Sequence, residues 1–167
     1  LSSLAEKWPD SISYQQRVAV SMSHAATIRC LQGSTAEADK SFAAAWDRIS
    51  VALANSPTDP GLLLTAAEIA SRWGEFATLQ NENVDAKSHW RIADKHWQGL
   101  LSQSRDGRHR SAAAWHYAIC PGEEFRDSAQ ATSNALSALQ DAPENQRYRL
   151  VLAISRLSAN NPRECLA

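Results

Sequence analysis

Shifted against itself by 48 residues, the chain falls into register without a gap. Pro9 lands on Pro57, Ala19 on Ala67 and Leu31 on Leu79. Further on, Ala38 lands on Ala86, Phe42 on Trp90, Ala45 on Ala93, Ile49 on Trp97 and Leu53 on Leu101. Apolar meets apolar and small meets small. Self-similarity at such a period marks stacked supersecondary units, because one unit alone cannot bury its apolar face. The repeated unit is expected to be a helix, a tight turn and a second helix.

The helical reading rests on composition and punctuation. Alternating β-branched runs are almost absent, and Ala, Leu, Ser, Gln and Glu dominate. Breaks fall at "WPDS", "QGST", "NSPTDPG", "QNEN", "SRDGRH", "CPGEE", "DAPEN" and "ANNP". The stretches between them have the length of helices in a bundle or solenoid. Ala38, Phe42 and Ala45 sit at i, i+4 and i+7, so they share one helix face. Small residues there let a neighbouring helix come close, and the aromatic fills the remaining gap. Ala86, Trp90 and Ala93 repeat the arrangement, and Ala131, Ala135 and Ala138 repeat it with a smaller middle residue.

At 167 residues, 44% hydrophobic and 21% charged, the chain can bury a core. A net charge of −1 gives no reason to expect nucleic acid as a partner. No apolar run approaches the roughly 20 residues of a membrane span. Cys30, Cys120 and Cys165 are far apart and form no CxxC pair, so they read as small buried hydrophobes in a reducing, cytoplasmic setting. The opening "LSSLAEKWPD" reads as the last turns of a helix, and the chain is expected to be a piece of a larger protein.

These residues resemble the tetratricopeptide repeat (TPR) family. In the second unit Trp73-Gly74 match that family's leucine–glycine pair, and Ala86, Trp90 and Ala93 match its second helix. The first unit has Ala25-Ala26, Gly33 at the turn, then Ala38, Phe42 and Ala45. The third has Trp115 and Ala118 on its first helix, the alanine triplet on its second, and Pro143 at its close. A fourth begins near Asn145, with Leu152-Ala153 at the first-helix pair and Cys165 at the small position of the second helix. The family's unit is about 34 residues, whereas two units here run to 48 and the third carries "CPGEEFRD" in place of a short turn. The segment from "AAAWHYAICPGEEFRD" to "LAISRL", with Tyr14-Gln15-Gln16-Arg17 near the start, also resembles the C-terminal repeats of bacterial serine/threonine protein kinases. No kinase motif is present: there is no glycine-rich phosphate loop, no HRD and no DFG.

Constellations that invite a chemical reading are better explained by packing. Asp85 and His89 stand at i, i+4 with His96 two turns on, but HExxH is absent and each histidine adjoins a tryptophan. His116 and Cys120 share a helix face, but Cys120 precedes Pro121 and reads as a helix end rather than a nucleophile. The carboxylates Glu68, Glu75, Glu82, Asp85, Glu123 and Glu124 are scattered, with no pair arranged for acid–base work. Arg105, Arg108 and Arg110 read as a solvated loop. Trp46, Trp73, Trp90, Trp97 and Trp115 fall at spacings that predict core packing, and Trp8 ends the first segment.

The resemblance implies an all-α, right-handed superhelix of antiparallel helix pairs. It would form one repeat domain over 1–167, with units at about 11–57, 58–108 and 109–144 and a partial unit at 145–167. The expected function is a non-catalytic interaction module, a regulatory region of a larger bacterial signalling protein, with no cofactor or metal. It would dock a protein or peptide partner in a concave groove lined by Tyr14, Arg17, Ser21, His24, Thr65, Glu68 and Arg72. The alternative is a structural spacer, or an element that self-associates through its open ends.

Overall fold

The computed structural model describes residues 11–160. Trp8, Pro9, the opening decapeptide and Cys165 lie outside the described residues, and with them the second helix of the partial fourth unit. Seven α-helices follow one another: α1 Ile12–Leu31, α2 Thr35–Asn55, α3 Pro60–Leu79, α4 Asn83–Gln103, α5 Gly107–Ile119, α6 Ser128–Asp141 and α7 Gln146–Asn160. One 3₁₀ turn, Glu123–Phe125, stands between α5 and α6. Among the described residues there is no strand.

The period found in the sequence reappears in the helix boundaries. α1 and α3 each have 20 residues and α2 and α4 each have 21. Ile12 to Pro60 and Thr35 to Asn83 are both steps of 48. The turns match bond for bond. At the end of α1, Gly33 N–H donates to Cys30 O and Ser34 N–H to Arg29 O. Forty-eight residues on, Asn81 N–H donates to Thr78 O and Glu82 N–H to Ala77 O. This helix stop needs one residue in the left-handed region, supplied by Gly33 at φ 77° and by Asn81 at φ 61°. α3 starts with Pro60 in its first turn, and the Asp59 carboxylate accepts from Leu62 N–H at 2.9 Å.

The described residues group into two compact units that divide within α4, after Leu100, where the sequence reads as one repeat domain. In the first unit α2 runs back along α1. The Arg29 guanidinium near the end of α1 donates to Ser41 near the start of α2, and Arg48 late in α2 donates to Gln15 early in α1. α3 packs on both and runs parallel to α1, since Gln16 reaches Gly61 and Thr65. Ala38, Phe42 and Ala45 are buried, as are Ala86, Trp90 and Ala93. The small–aromatic–small face is therefore core in both copies. Phe42 packs with Ala26, Ala38 and Phe76, and Trp73 and Cys30 close that cluster from the side.

In the second unit α5, α6 and α7 pack mutually. Ala114, Ala135, Val151 and Leu152 form a core cluster, with Leu139 against it. Gly107 opens α5 where a Cβ would stand 3.1 Å from the Asp141 carboxylate and 3.3 Å from both the Ala138 carbonyl and the Tyr148 ring, so the packing there is tight. The irregular "CPGEEFRD" segment is pinned rather than loose. The Arg126 guanidinium donates two bonds to Cys120 O, at 3.1 and 3.0 Å, and Asp127 caps α6 by accepting from Gln130 N–H. Trp115 departs from the expected core position: it is 42% exposed on α5.

Candidate docking site

The groove between α1 and α3 is built by the repeat itself. Gln16 Nε2 donates to Gly61 O at 2.9 Å and to Thr65 Oγ1 at 2.8 Å, which ties the first turns of the two helices together. Towards their C-terminal ends the helices leave a cavity of about 510 Å³ between them. Its walls come from equivalent positions, each pair 48 residues apart: His24 with Arg72, Thr27 with Glu75, Ile28 with Phe76, and Leu31 with Leu79. Phe42 and Cys30 complete the lining. The head of the cavity is polar and its foot is apolar. At the foot Ile28 is 55% exposed, Leu31 83% and Leu79 71%, an unusual display for large aliphatic side chains.

Two of the seven residues expected in the groove, His24 and Arg72, line this cavity. Thr65 does not: it is buried, with Gln16 as its donor and Gly61 O as its own acceptor. Thr65 sits in the contact between α1 and α3. Tyr14 is half-buried and Arg17 and Ser21 are exposed, but none of them lines the cavity. Their equivalents on α3, Leu62, Thr65 and Ile69, are buried, so this face of α1 corresponds to a packing face rather than to a groove wall. Glu68 is half-buried and also stands outside the cavity. Ile28, Leu31, Phe76 and Leu79 were not among the expected residues, although the coincidence of Leu31 with Leu79 was visible in the repeat.

Electrostatics at the site are mild. Burial raises the Glu75 carboxyl above the usual carboxylate range, and the Arg72 guanidinium one turn back opposes that rise.

A second cavity, of about 560 Å³, lies where α2, α3 and α4 meet and holds the residues that suggested a metal. The Trp73 indole N–H donates to Asp39 at 2.8 Å, and the His89 ring stacks on Trp73 with centroids 4.0 Å apart. Phe42 stacks on Trp73 at 6.2 Å. His89 thus continues an aromatic stack; burial lowers its pKa, against the pull of Asp85 and Asp39. His96 lies against Trp46 at 5.7 Å, its pKa also lowered by burial. Among the described residues no group of three or more His, Cys, Asp or Glu is placed to hold a metal ion.

In the second unit Cys120 caps α5 and its N–H donates to His116 O at 2.9 Å. Burial brings the His116 pKa down to about 4, which keeps the ring neutral at ordinary pH. Arg108 folds back onto the cap of its own helix, at 2.8 Å from Asp106, and that bond holds the Asp106 carboxyl down at about 2. Among the described residues no helix is long and apolar enough to cross a membrane. The chain matches no known family, no curated protein and no solved structure.

Proposed function

We propose that the chain is a non-catalytic interaction module of the tetratricopeptide-repeat type, which docks a partner segment in the groove between α1 and α3. In this reading it is a regulatory region of a larger bacterial signalling protein, such as a serine/threonine kinase. One observation carries the proposal: the cavity takes its walls from the same positions of two successive repeats and leaves three large aliphatic side chains open at its foot. Stacked repeats use the surface formed by successive equivalent helices for recognition. Exposed apolar area framed by His24, Arg72 and Glu75 has the make-up of an interaction site.

A library of random 16-residue peptides displayed on phage and selected against the immobilised protein tests this. Enriched peptides should lose at least about tenfold in affinity on the Leu31→Glu/Leu79→Glu variant. Both leucines are exposed, so the variant should keep the wild-type helical circular dichroism. No enrichment, together with a dimer in light scattering that the variant converts to monomer, would instead support the self-associating spacer.

A further inference from the structure

The last helix, α7, leaves open to solvent the positions that α3 buries beneath α4. Leu152 of α7 packs in the cluster around Ala135, as Trp73 of α3 packs against the cluster around Phe42. Ala135 and Phe42 are each the middle residue of a small-lined helix face, so Leu152 corresponds to Trp73, 79 positions earlier. The same step carries Ser71, Gly74 and Thr78 onto Leu150, Ala153 and Leu157. In α3 all three positions meet α4. Ser71 accepts from the Trp97 indole N–H at 3.2 Å, Thr78 accepts from that of Trp90 at 3.4 Å, and a Cβ on Gly74 would stand 2.8 Å from the Trp90 ring. In α7 Leu150 is 56% exposed and Leu157 60%, with Ala153 exposed between them and Ile154 half-buried alongside.

We infer that this stripe of α7 is a docking surface for an acidic amphipathic helix of a partner protein, which lies over α7 as α4 lies over α3.

The repeat itself supplies the shape of the occupant. What covers Ser71, Gly74 and Thr78 is a helix that sets a large side chain, Trp90, over the smallest of the three. Ala153 between Leu150 and Leu157 is a notch of the same kind, and a crossing helix fills it with one large apolar residue. A lipid surface is matched less well. An interfacial helix presents a continuous apolar face, whereas here Ile154 is half-buried and Ala153 is a dent, so only two leucines project.

Charge supplies the rest. α7 carries Arg147, Arg149 and Arg156 and no carboxylate. At about 3.6 residues per turn, Arg147 stands on one flank of the stripe and Arg149 and Arg156 on the other. Arg149 is held by Glu144 at 3.0 Å and by Pro143 O at 2.9 Å. Arg147 and Arg156 are exposed. An apolar stripe bracketed by guanidinium groups repels a basic helix, α7 of a second copy included, and favours one whose flanks carry Asp or Glu.

A phage library of random peptides, each about 20 residues so that a helix can form, is selected on the immobilised Leu31→Glu/Leu79→Glu variant. That background removes the groove between α1 and α3, so this outcome is separate from the docking reading above. Enriched peptides should be acidic, with apolar residues at helical period. Labelled with fluorescein and followed by anisotropy, they should lose at least about tenfold in affinity when Leu150→Glu/Leu157→Glu is added. Arg147→Gln/Arg156→Gln, which leaves the apolar stripe intact, should weaken them and flatten their dependence on salt. All four residues are exposed, so wild-type helical circular dichroism is expected of each variant. No enrichment, or peptides indifferent to the leucine pair, would overturn the surface. Peptides sensitive to the leucines but neutral in charge and indifferent to the arginines would overturn the acidic occupant. Co-sedimentation with phosphatidylserine vesicles, abolished by Leu150→Glu/Leu157→Glu, would give the face to an anionic lipid surface and overturn the inference.

Discussion

Gly74 and Trp90 make a pair whose energetics the repeat lets us work out in advance. A Cβ placed on Gly74 would stand 2.8 Å from two atoms of the Trp90 indole and 3.1 Å from a third. That is about 0.6 Å inside the 3.4 Å at which ordinary contact begins. Trp90 is 2% exposed, so the ring has no open side into which to retreat. Replacing glycine by alanine inside a helix ordinarily gains about 1 kcal/mol. Overpacking of a closed core costs about 2–3 kcal/mol, so Gly74→Ala should be net destabilising by about 1–2 kcal/mol. The first repeat shows the remedy, since it carries Ala26 and Phe42 where the second carries Gly74 and Trp90. Both of those residues are buried in one cluster, so a Cβ and a phenyl ring fill the space that no Cβ and an indole fill one repeat later. Trp90→Phe alone should leave a void costing about 2 kcal/mol. Gly74→Ala/Trp90→Phe should cost less than the sum of its parts, with a coupling on the order of 1–2 kcal/mol. Urea denaturation followed by circular dichroism at the helical band measures all four corners of the cycle. A stabilised Gly74→Ala protein, or additivity within experimental error, would refute the reasoning.

Two further outcomes follow from the same comparison of copies and from burial. Ser71 accepts from the Trp97 indole N–H at 3.2 Å, while the first repeat has Ile49 at the position of Trp97 and the buried hydroxyl of Ser23, the equivalent of Ser71, has no protein partner. Ser71→Ala should therefore cost about 1 kcal/mol and Ser23→Ala should be neutral or stabilising by up to about 1 kcal/mol; equal effects in urea melts would sink the distinction. His116 is held neutral by burial, with its pKa moved from 6.5 to about 4. The unfolded chain then binds more protons than the folded one between those values, so stability is full above pH 6.5 and falls as pH drops towards 4. At ~1.4 kcal/mol per pH unit the gap sets the loss at about 3 kcal/mol once pH is below 4, most of it spent by pH 5. His116→Gln should flatten the change in urea midpoint between pH 7.5 and pH 5 relative to wild type, and parallel curves would count against the assignment.

Repetition made the first unit legible, and its lack left the second obscure. With a period of 48, each residue in 12–55 has a witness in 60–103, and the two together separate what packing requires from what one position happens to contain. Gly33 and Asn81 differ in type, yet both take the left-handed conformation that ends the helix. Trp73-Gly74 read from sequence as a packing step, and the structure places a ring directly over the glycine. Tyr14, Arg17, Ser21 and Thr65 were expected in a groove from their places on the first helix of each unit, whereas the open cavity between α1 and α3 is lined by Leu31 and Leu79 among others. The witness was available there too, since Leu31 and Leu79 coincide at the end of their helices, the last position before each turn. Trp115 shows the opposite failure. α5 buries Ala113, Ala114, His116, Tyr117 and Ala118 and leaves Trp115 exposed, with Ala112 and Ile119 on its face half-buried. The facing residues Ala131, Ala135 and Ala138 are small, so α5 comes close enough to α6 that its own alanines fill the contact. An indole there would force the helices apart. At α5 the alanines mark the close contact and Trp115 is displaced to the edge, whereas Tyr117 on the same helix is buried, so hydrophobicity alone does not say which large side chain faces in.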